Sequence, residues 1–122
     1  MRLLVLGGGL MGRAAAFDMS RQDDVDSVLV ADVNSECLEE TRSLVDSDKL
    51  ETLELNVGEI SAVAEVMKDV DAALGAVSYT YNVELANAAI DAGIHYCDLG
   101  GNNSVVDAEL ALDEKARDRG VT

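Results

Sequence analysis

Arg2-Leu3-Leu4-Val5-Leu6-Gly7-Gly8-Gly9-Leu10-Met11-Gly12-Arg13 stands at the head of the chain, and the change of pattern inside it decides the fold. Arg2–Leu6 is a short apolar run of the kind a strand carries when both its faces are covered. Glycines bound it. Gly9–Arg21 then reads as a helix with a small-residue face at Ala14 and Ala15. The glycines fall at G-x-G-x-x-G positions. Gly7 permits a tight turn, Gly9 lets the backbone approach a bound group, and Gly12 lets the helix pack close to the sheet.

Outward from this turn, strand-like and helix-like stretches alternate to the end, with no proline, linker, repeat or low-complexity segment. Ser27–Ala31 is a second strand, and Asn34 caps a helix that carries Leu38, Thr41 and Val45 inward. Leu50–Leu55 alternates as a third strand, and Ile60, Val63, Ala64 and Met67 form the stripe of a core-facing helix. Asp71–Val77 is a fourth strand, and Asn82–Ala92 a helix stopped by Gly93. Ile94–Asp98 is a fifth strand, and Val105, Ala108, Leu112 and Ala116 line one face of a last helix. Five βα units in strict alternation predict an α/β fold, a doubly wound parallel sheet between two helical layers, since each crossover returns on the same hand. Val121 and Thr122 could begin a sixth strand, so residues 1–122 are expected to be an N-terminal fragment of a longer polypeptide.

The composition narrows the function classes. Of the 122 residues 48% are hydrophobic, enough for one core and too many for a disordered acidic chain. Nine basic residues against 24 acidic ones give −15, which excludes nucleic-acid binding by phosphate neutralisation. No apolar run approaches the roughly 20 residues of a membrane span, and no signal peptide precedes the first strand. Cys37 and Cys97 lack metal-ligand spacing, so no metal is expected, and they read as unpaired thiols of a cytoplasmic chain. The acidity has two readings: a surface chosen for solubility, or a halophile-like adaptation to a salt-rich cytoplasm whose ions screen self-repulsion.

The glycine turn follows a strand and opens a helix, and Asp32 lies twenty residues after Gly12 at the end of the second strand. A bare helix N-terminus offers unpaired N–H groups and a positive dipole end to phosphates. A carboxylate at the Asp32 position accepts hydrogen bonds from the adenosine ribose. Either feature alone can be purely structural; in this order they favour a dinucleotide site. The carboxylate would repel a 2′-phosphate, and Val33 and Asn34 supply no cation, so NAD is expected over NADP. Arg13 could complicate that preference, but reads as a solvated helix residue.

Ligands of open parallel sheets sit beyond the carboxyl ends of the strands, where strand order reverses. Asn56 and Val57 are placed to flank an adenine, and the segment Val77, Ser78, Tyr79, Thr80, Tyr81 and Asn82 to meet the nicotinamide ribose and substrate. Asp98–Asn103 follows the fifth strand. His95 starts that strand, about 10 Å from its catalytic end, and reads as a structural or surface residue. Asp98 either caps its loop through backbone hydrogen bonds or serves the chemistry. Tyr79 and Tyr81 either offer a hydroxyl or pack on the sheet edge.

With these residues in view, the chain resembles the N-terminal nucleotide-binding domain of the saccharopine dehydrogenase family, its lysine 6-dehydrogenase-like members above all. MRLLVLGGGLMGRAAA, VSYTYNVELANAAIDAGIHYCDLGGNNSVV and ALDEKARDRGVT carry the resemblance. It implies a Rossmann fold and an oxidoreductase of lysine metabolism, acting on a C–N bond of a lysine-type amino acid and passing hydride to NAD. Carried over, Gly7, Gly9, Leu10, Met11, Gly12 and Asp32 hold the cofactor, joined by Asn56, Val57, Val77 and Ser78. Tyr79, Asp98 and Asn102 are the catalytic candidates on the near wall. A second domain would supply most substrate contacts and a homodimer interface, leaving this part alone inactive. The alternative is a nucleotide-sensing regulatory domain of the kind attached to potassium channels and transporters, which has no stated use for the Asp98–Asn102 loop. A two-domain reductase on another small substrate would share the fold.

Overall fold

The structure is a computed structural model that describes residues 1–122. Its strands are β1 (Arg2–Leu6), β2 (Ser27–Asp32), β3 (Leu50–Glu54), β4 (Ala72–Gly75) and β5 (His95–Asp98). All pair in parallel in the order β3-β2-β1-β4-β5. The helices are α1 (Leu10–Met19), α2 (Ser35–Val45), α3 (Ile60–Met67), α4 (Asn82–Ala92), α5 (Asn103–Leu110) and α6 (Asp113–Arg119). The chain steps outward from β1 to β3 and then crosses back to β4. A crevice therefore opens at the carboxyl ends of β1 and β4.

Alternation along the central strands divides the core between two faces. Leu4, Leu6, Ala31 and Ala73 meet Val63 and Met67 of α3 and Leu85 and Ala89 of α4. Val5, Val28 and Val30 point the other way, onto Ala16 of α1 and Leu38 and Val45 of α2. The terminal residues of the helices act as read. Asn34 Oδ1 accepts from the N–H groups of Glu36 (2.9 Å) and Cys37 (3.3 Å), and Gly93 stops α4 at φ 77°. No helix is long and apolar enough to cross a membrane.

Two helix faces differ from expectation. The small residues that α1 buries are Gly12 and Ala16, whereas Ala14 is exposed and Ala15 half-buried. Gly12 lies against β1 and fixes the phase of the helix, so the next inward position is four residues on. The single last helix is two, because the turn before Leu112 tightens: its N–H donates to the Glu109 carbonyl (2.9 Å). Ala108 is consequently exposed, and Glu109 takes the inward place between Val105 and Leu112. Beyond Gly120 the chain returns along β5, where Tyr96 N–H donates to the Thr122 carbonyl (2.8 Å).

Ala16→Leu should cost about 1–3 kcal/mol through overpacking, and Ala14→Leu less than about 0.5 kcal/mol, both read from urea unfolding. Equal costs would contradict this placement of α1.

Candidate functional site

The glycine turn is built by two close approaches and one opening. Gly7 has φ +104°, and a Cβ there would stand 2.5 Å from the Ala76 carbonyl oxygen. A Cβ on Gly12 would stand 1.7 Å from the Gly7 carbonyl oxygen, so only glycine allows α1 to start directly beneath the turn. Gly9 is the opposite case: a Cβ there would meet no atom within 4 Å. Gly9 is also the N-cap of α1, extended in backbone and without a side-chain cap. The first helical bond is Arg13 N–H to the Gly9 carbonyl (2.9 Å), which leaves the amides of the first turn to an external acceptor. Leu10 and Met11 are 81% and 62% exposed, and neither side chain lines the cleft; what they offer is backbone N–H.

Gly8 is the hub of the surrounding contacts. Its N–H donates to Asp32 Oδ2 (2.7 Å), while Asp32 Oδ1 accepts from Asn34 N–H (2.8 Å). Asp32 thus braces the turn and keeps a further lone pair on each oxygen for a ligand. The Gly8 carbonyl accepts from Arg13 Nε (3.3 Å), and the buried Thr41 hydroxyl, which donates its one proton to the Cys37 carbonyl (2.7 Å), lies 3.4 Å from it. Arg13 Nη2 pairs with Glu40 Oε2 at 2.7 Å. Arg13 is therefore not a solvated helix residue: its side chain is only 17% exposed and staples α1 to α2. No motif marks Glu40 or Thr41 as a support of the turn. Thr41 left one signal, a polar residue on an inward stripe.

The crevice forms a cleft of 320 Å³ that gathers Gly7, Gly9, Asp32, Asn56, Val57, Val77 and Ser78. Ala76 joins them because β4 ends at Gly75 and releases Ala76 and Val77 into the loop; Tyr81 closes the side. Asn56 Oδ1 accepts from Gly58 N–H (3.0 Å), which shapes the loop after β3. Ser78 Oγ and Thr80 Oγ1 lie 3.0 Å apart.

The three catalytic candidates lie apart from this cleft. Tyr79 is 43% exposed, and its ring lies over the Gly101 backbone, where a Cβ would approach it to 3.6 Å. Asp98 Oδ1 accepts from Gly100 N–H (2.6 Å), and Asn102 caps α5 by accepting from Ser104 N–H (2.9 Å). Asp98 faces a second cavity, 530 Å³, between β5 and helices α5 and α6. Glu109 lines it too, with Oε1 buried and unpartnered, and burial together with Asp98 pushes its carboxyl up to about 7. Burial and Asp98 also push the Tyr96 phenol and the Cys97 thiol upward, and the Tyr96 hydroxyl is buried without a partner. His95 sits at the exposed start of β5 and accepts from Thr122 N–H (3.2 Å). Both cysteines are free, and no three His, Cys, Asp or Glu side chains gather as metal ligands.

Residues 3–122 match the family model of the saccharopine dehydrogenase NADP binding domain. The chain belongs to this family. It is an NAD(P)-binding domain of the saccharopine dehydrogenase type, which favours the dehydrogenase reading over the sensor. Among solved structures it is similar to saccharopine dehydrogenase (L-Glu forming) from Saccharomyces cerevisiae, with TM-score 0.81 and 21% identity over 99% of this chain and 26% of that one. A probable dehydrogenase from Thermotoga maritima has TM-score 0.72 and 25% identity over 99% of this chain and 34% of that one. GenD2 of gentamicin A biosynthesis, solved with NAD, has TM-score 0.74 and 20% identity over 100% of this chain and 33% of that one. The saccharopine dehydrogenase-type chain thus spans between a quarter and about a third of these proteins.

Substitutions at two glycines should separate folding from binding. Gly9→Ala should cost less than about 1 kcal/mol of stability yet weaken NADH binding at least about tenfold by filling the pyrophosphate approach. Gly12→Ala should cost about 1–3 kcal/mol or more, because the turn itself must open. Denaturant unfolding beside NADH fluorescence titration measures both. Unchanged NADH affinity in Gly9→Ala would contradict the assignment.

Proposed function

We propose that this chain is the nicotinamide-cofactor domain of a longer oxidoreductase that acts on a C–N bond of a lysine-type amino acid, with NAD as hydride acceptor. The observation that carries the cofactor part is the uncapped start of α1, which opens at Gly9 onto free space beside Asp32. The backbone amides from Gly9 to Gly12 would hold the pyrophosphate, with Gly7 shaping the turn, and Asp32 would accept from the adenosine ribose hydroxyls. Asn56 and Val57 would flank the adenine, and Val77 and Ser78 the nicotinamide ribose. Bound there, the cofactor supplies the hydride acceptor.

The chain's own residues position and enclose. Tyr79, Asp98 and Asn102 would form the near wall against the substrate, with the exposed Tyr79 hydroxyl the group free to donate to it. Asp98 and Asn102 would hold the loop in shape through the hydrogen bonds they already make. The lysine-type substrate rests on family membership and on the likeness to a saccharopine dehydrogenase. A second domain for substrate contacts is supported by the share of the similar proteins that this chain spans, and that domain would carry the homodimer interface. The acidic surface and free thiols fit a reducing cytoplasm, salt-rich or otherwise.

The family description names NADP, whereas two features of this chain favour NAD. Asp32 presents a carboxylate where a 2′-phosphate would lie, and no lysine or arginine lines the cleft. Fluorescence titration should give NADH an affinity at least about tenfold above NADPH, the effect of placing a phosphate beside one carboxylate. Asp32→Asn should narrow that ratio. Equal or tighter NADPH binding by the unsubstituted chain would overturn the NAD assignment. The substrate assignment stands or falls on lysine or saccharopine oxidation by the whole enzyme with NAD.

A further inference from the structure

Arg13 is the cation next to the glycine turn, yet its charge is directed away from the cleft. Gly8 separates it from Asp32: the Gly8 N–H donates to Asp32 (2.7 Å) and the Gly8 carbonyl accepts from Arg13 Nε (3.3 Å). An arginine one residue from a carboxylate would ordinarily close onto it. Here it turns to α2, where Glu40 takes Nη2 at 2.7 Å. The guanidinium is thereby neutralised, and the ribose end of the cleft is left with Asp32 as its charge.

Resting on the assignment of the cleft to a nicotinamide dinucleotide, we propose that Glu40 is a specificity-determining positioning residue. By holding Arg13 on α2 it denies a 2′-phosphorylated adenosine the guanidinium that Gly8 carries beside Asp32. Discrimination against NADP then belongs to Asp32 and the Arg13–Glu40 pair together. The chemistry favours this division. A guanidinium binds phosphate through paired N–H donors, and Arg13 has spare ones once Glu40 is gone. Its Nε contact to Gly8 keeps the group tethered at the turn when the acid is removed. Glu40 is 58% exposed, so the pair adds little to stability and its loss leaves the fold intact. A role confined to joining α1 and α2 would alter stability and leave the NADH to NADPH ratio unchanged.

The test is a set of fluorescence titrations with NADH and NADPH, repeated by calorimetry with ADP and adenosine 2′,5′-bisphosphate to isolate the ribose end. Glu40→Gln should tighten NADPH and the bisphosphate about tenfold, the scale of one charge-assisted contact, and change NADH and ADP less than about twofold. NADH stays the tighter ligand because Asp32 is untouched. Glu40→Ala should reproduce the shift, and Arg13→Gln combined with Glu40→Gln should abolish it. An unaltered ratio in both single variants overturns the proposal. So does equal tightening of all four ligands, which is a bulk charge effect, or a gain that survives in the double variant. Failure of the unsubstituted chain to bind NADH or NADPH is a different result: it removes the cofactor assignment, and this inference with it.

Discussion

Because Gly12 has no side chain, the backbone of α1 can lie against the Gly7 carbonyl, at a distance where a single methyl would stand 1.7 Å from the oxygen. Three consequences follow from that contact. The helix begins directly after the Gly7–Gly9 turn, so its unpaired amides point into the crevice between β1 and β4. The phase of α1 is set, which buries Ala16 in the α1–α2 side of the core. Gly8 is buried beside the cleft, where its N–H is taken by Asp32 and its carbonyl by Arg13.

The site's electrostatics are local against a hostile background. A chain of net charge −15 repels a dinucleotide at long range, and no lysine or arginine lines the cleft to offset this. Attraction has to come from oriented amides and the helix dipole, which act within the first turn. The same scarcity of cations makes each one count, and the direction in which Arg13 is held becomes a matter of ligand choice.

The doubly wound sheet was legible because the central strands are continuous apolar runs and some helices carry their own end signals, a cap at the start of α2 in Asn34 and a stop after α4 in Gly93. The cleft residues were legible through one rule, that ligands lie beyond the strand ends at the reversal of order. Long-range partners were not. Nothing in the spacing of Arg13 and Glu40 announces that they meet, since the meeting depends on how α1 and α2 pack. The break between α5 and α6 was hidden for a similar reason: Ala108 and Glu109 compete for one inward position, and the local turn decides. Glu109 therefore arrives unforeseen beside Asp98, in the larger of the two cavities discussed.

That larger cavity makes the account sharply testable, since the nucleotide is assigned to the smaller cleft. The decisive measurement is an NADH titration of the isotopically labelled chain followed by backbone amide NMR. The account predicts the largest shifts at Gly8, Gly9, Leu10, Met11 and Gly12, with Asp32 and Asn34 next and Tyr96, Glu109 and Ala116 unmoved. Shifts centred on Tyr96, Glu109 and Ala116, with the glycine turn silent, would contradict it.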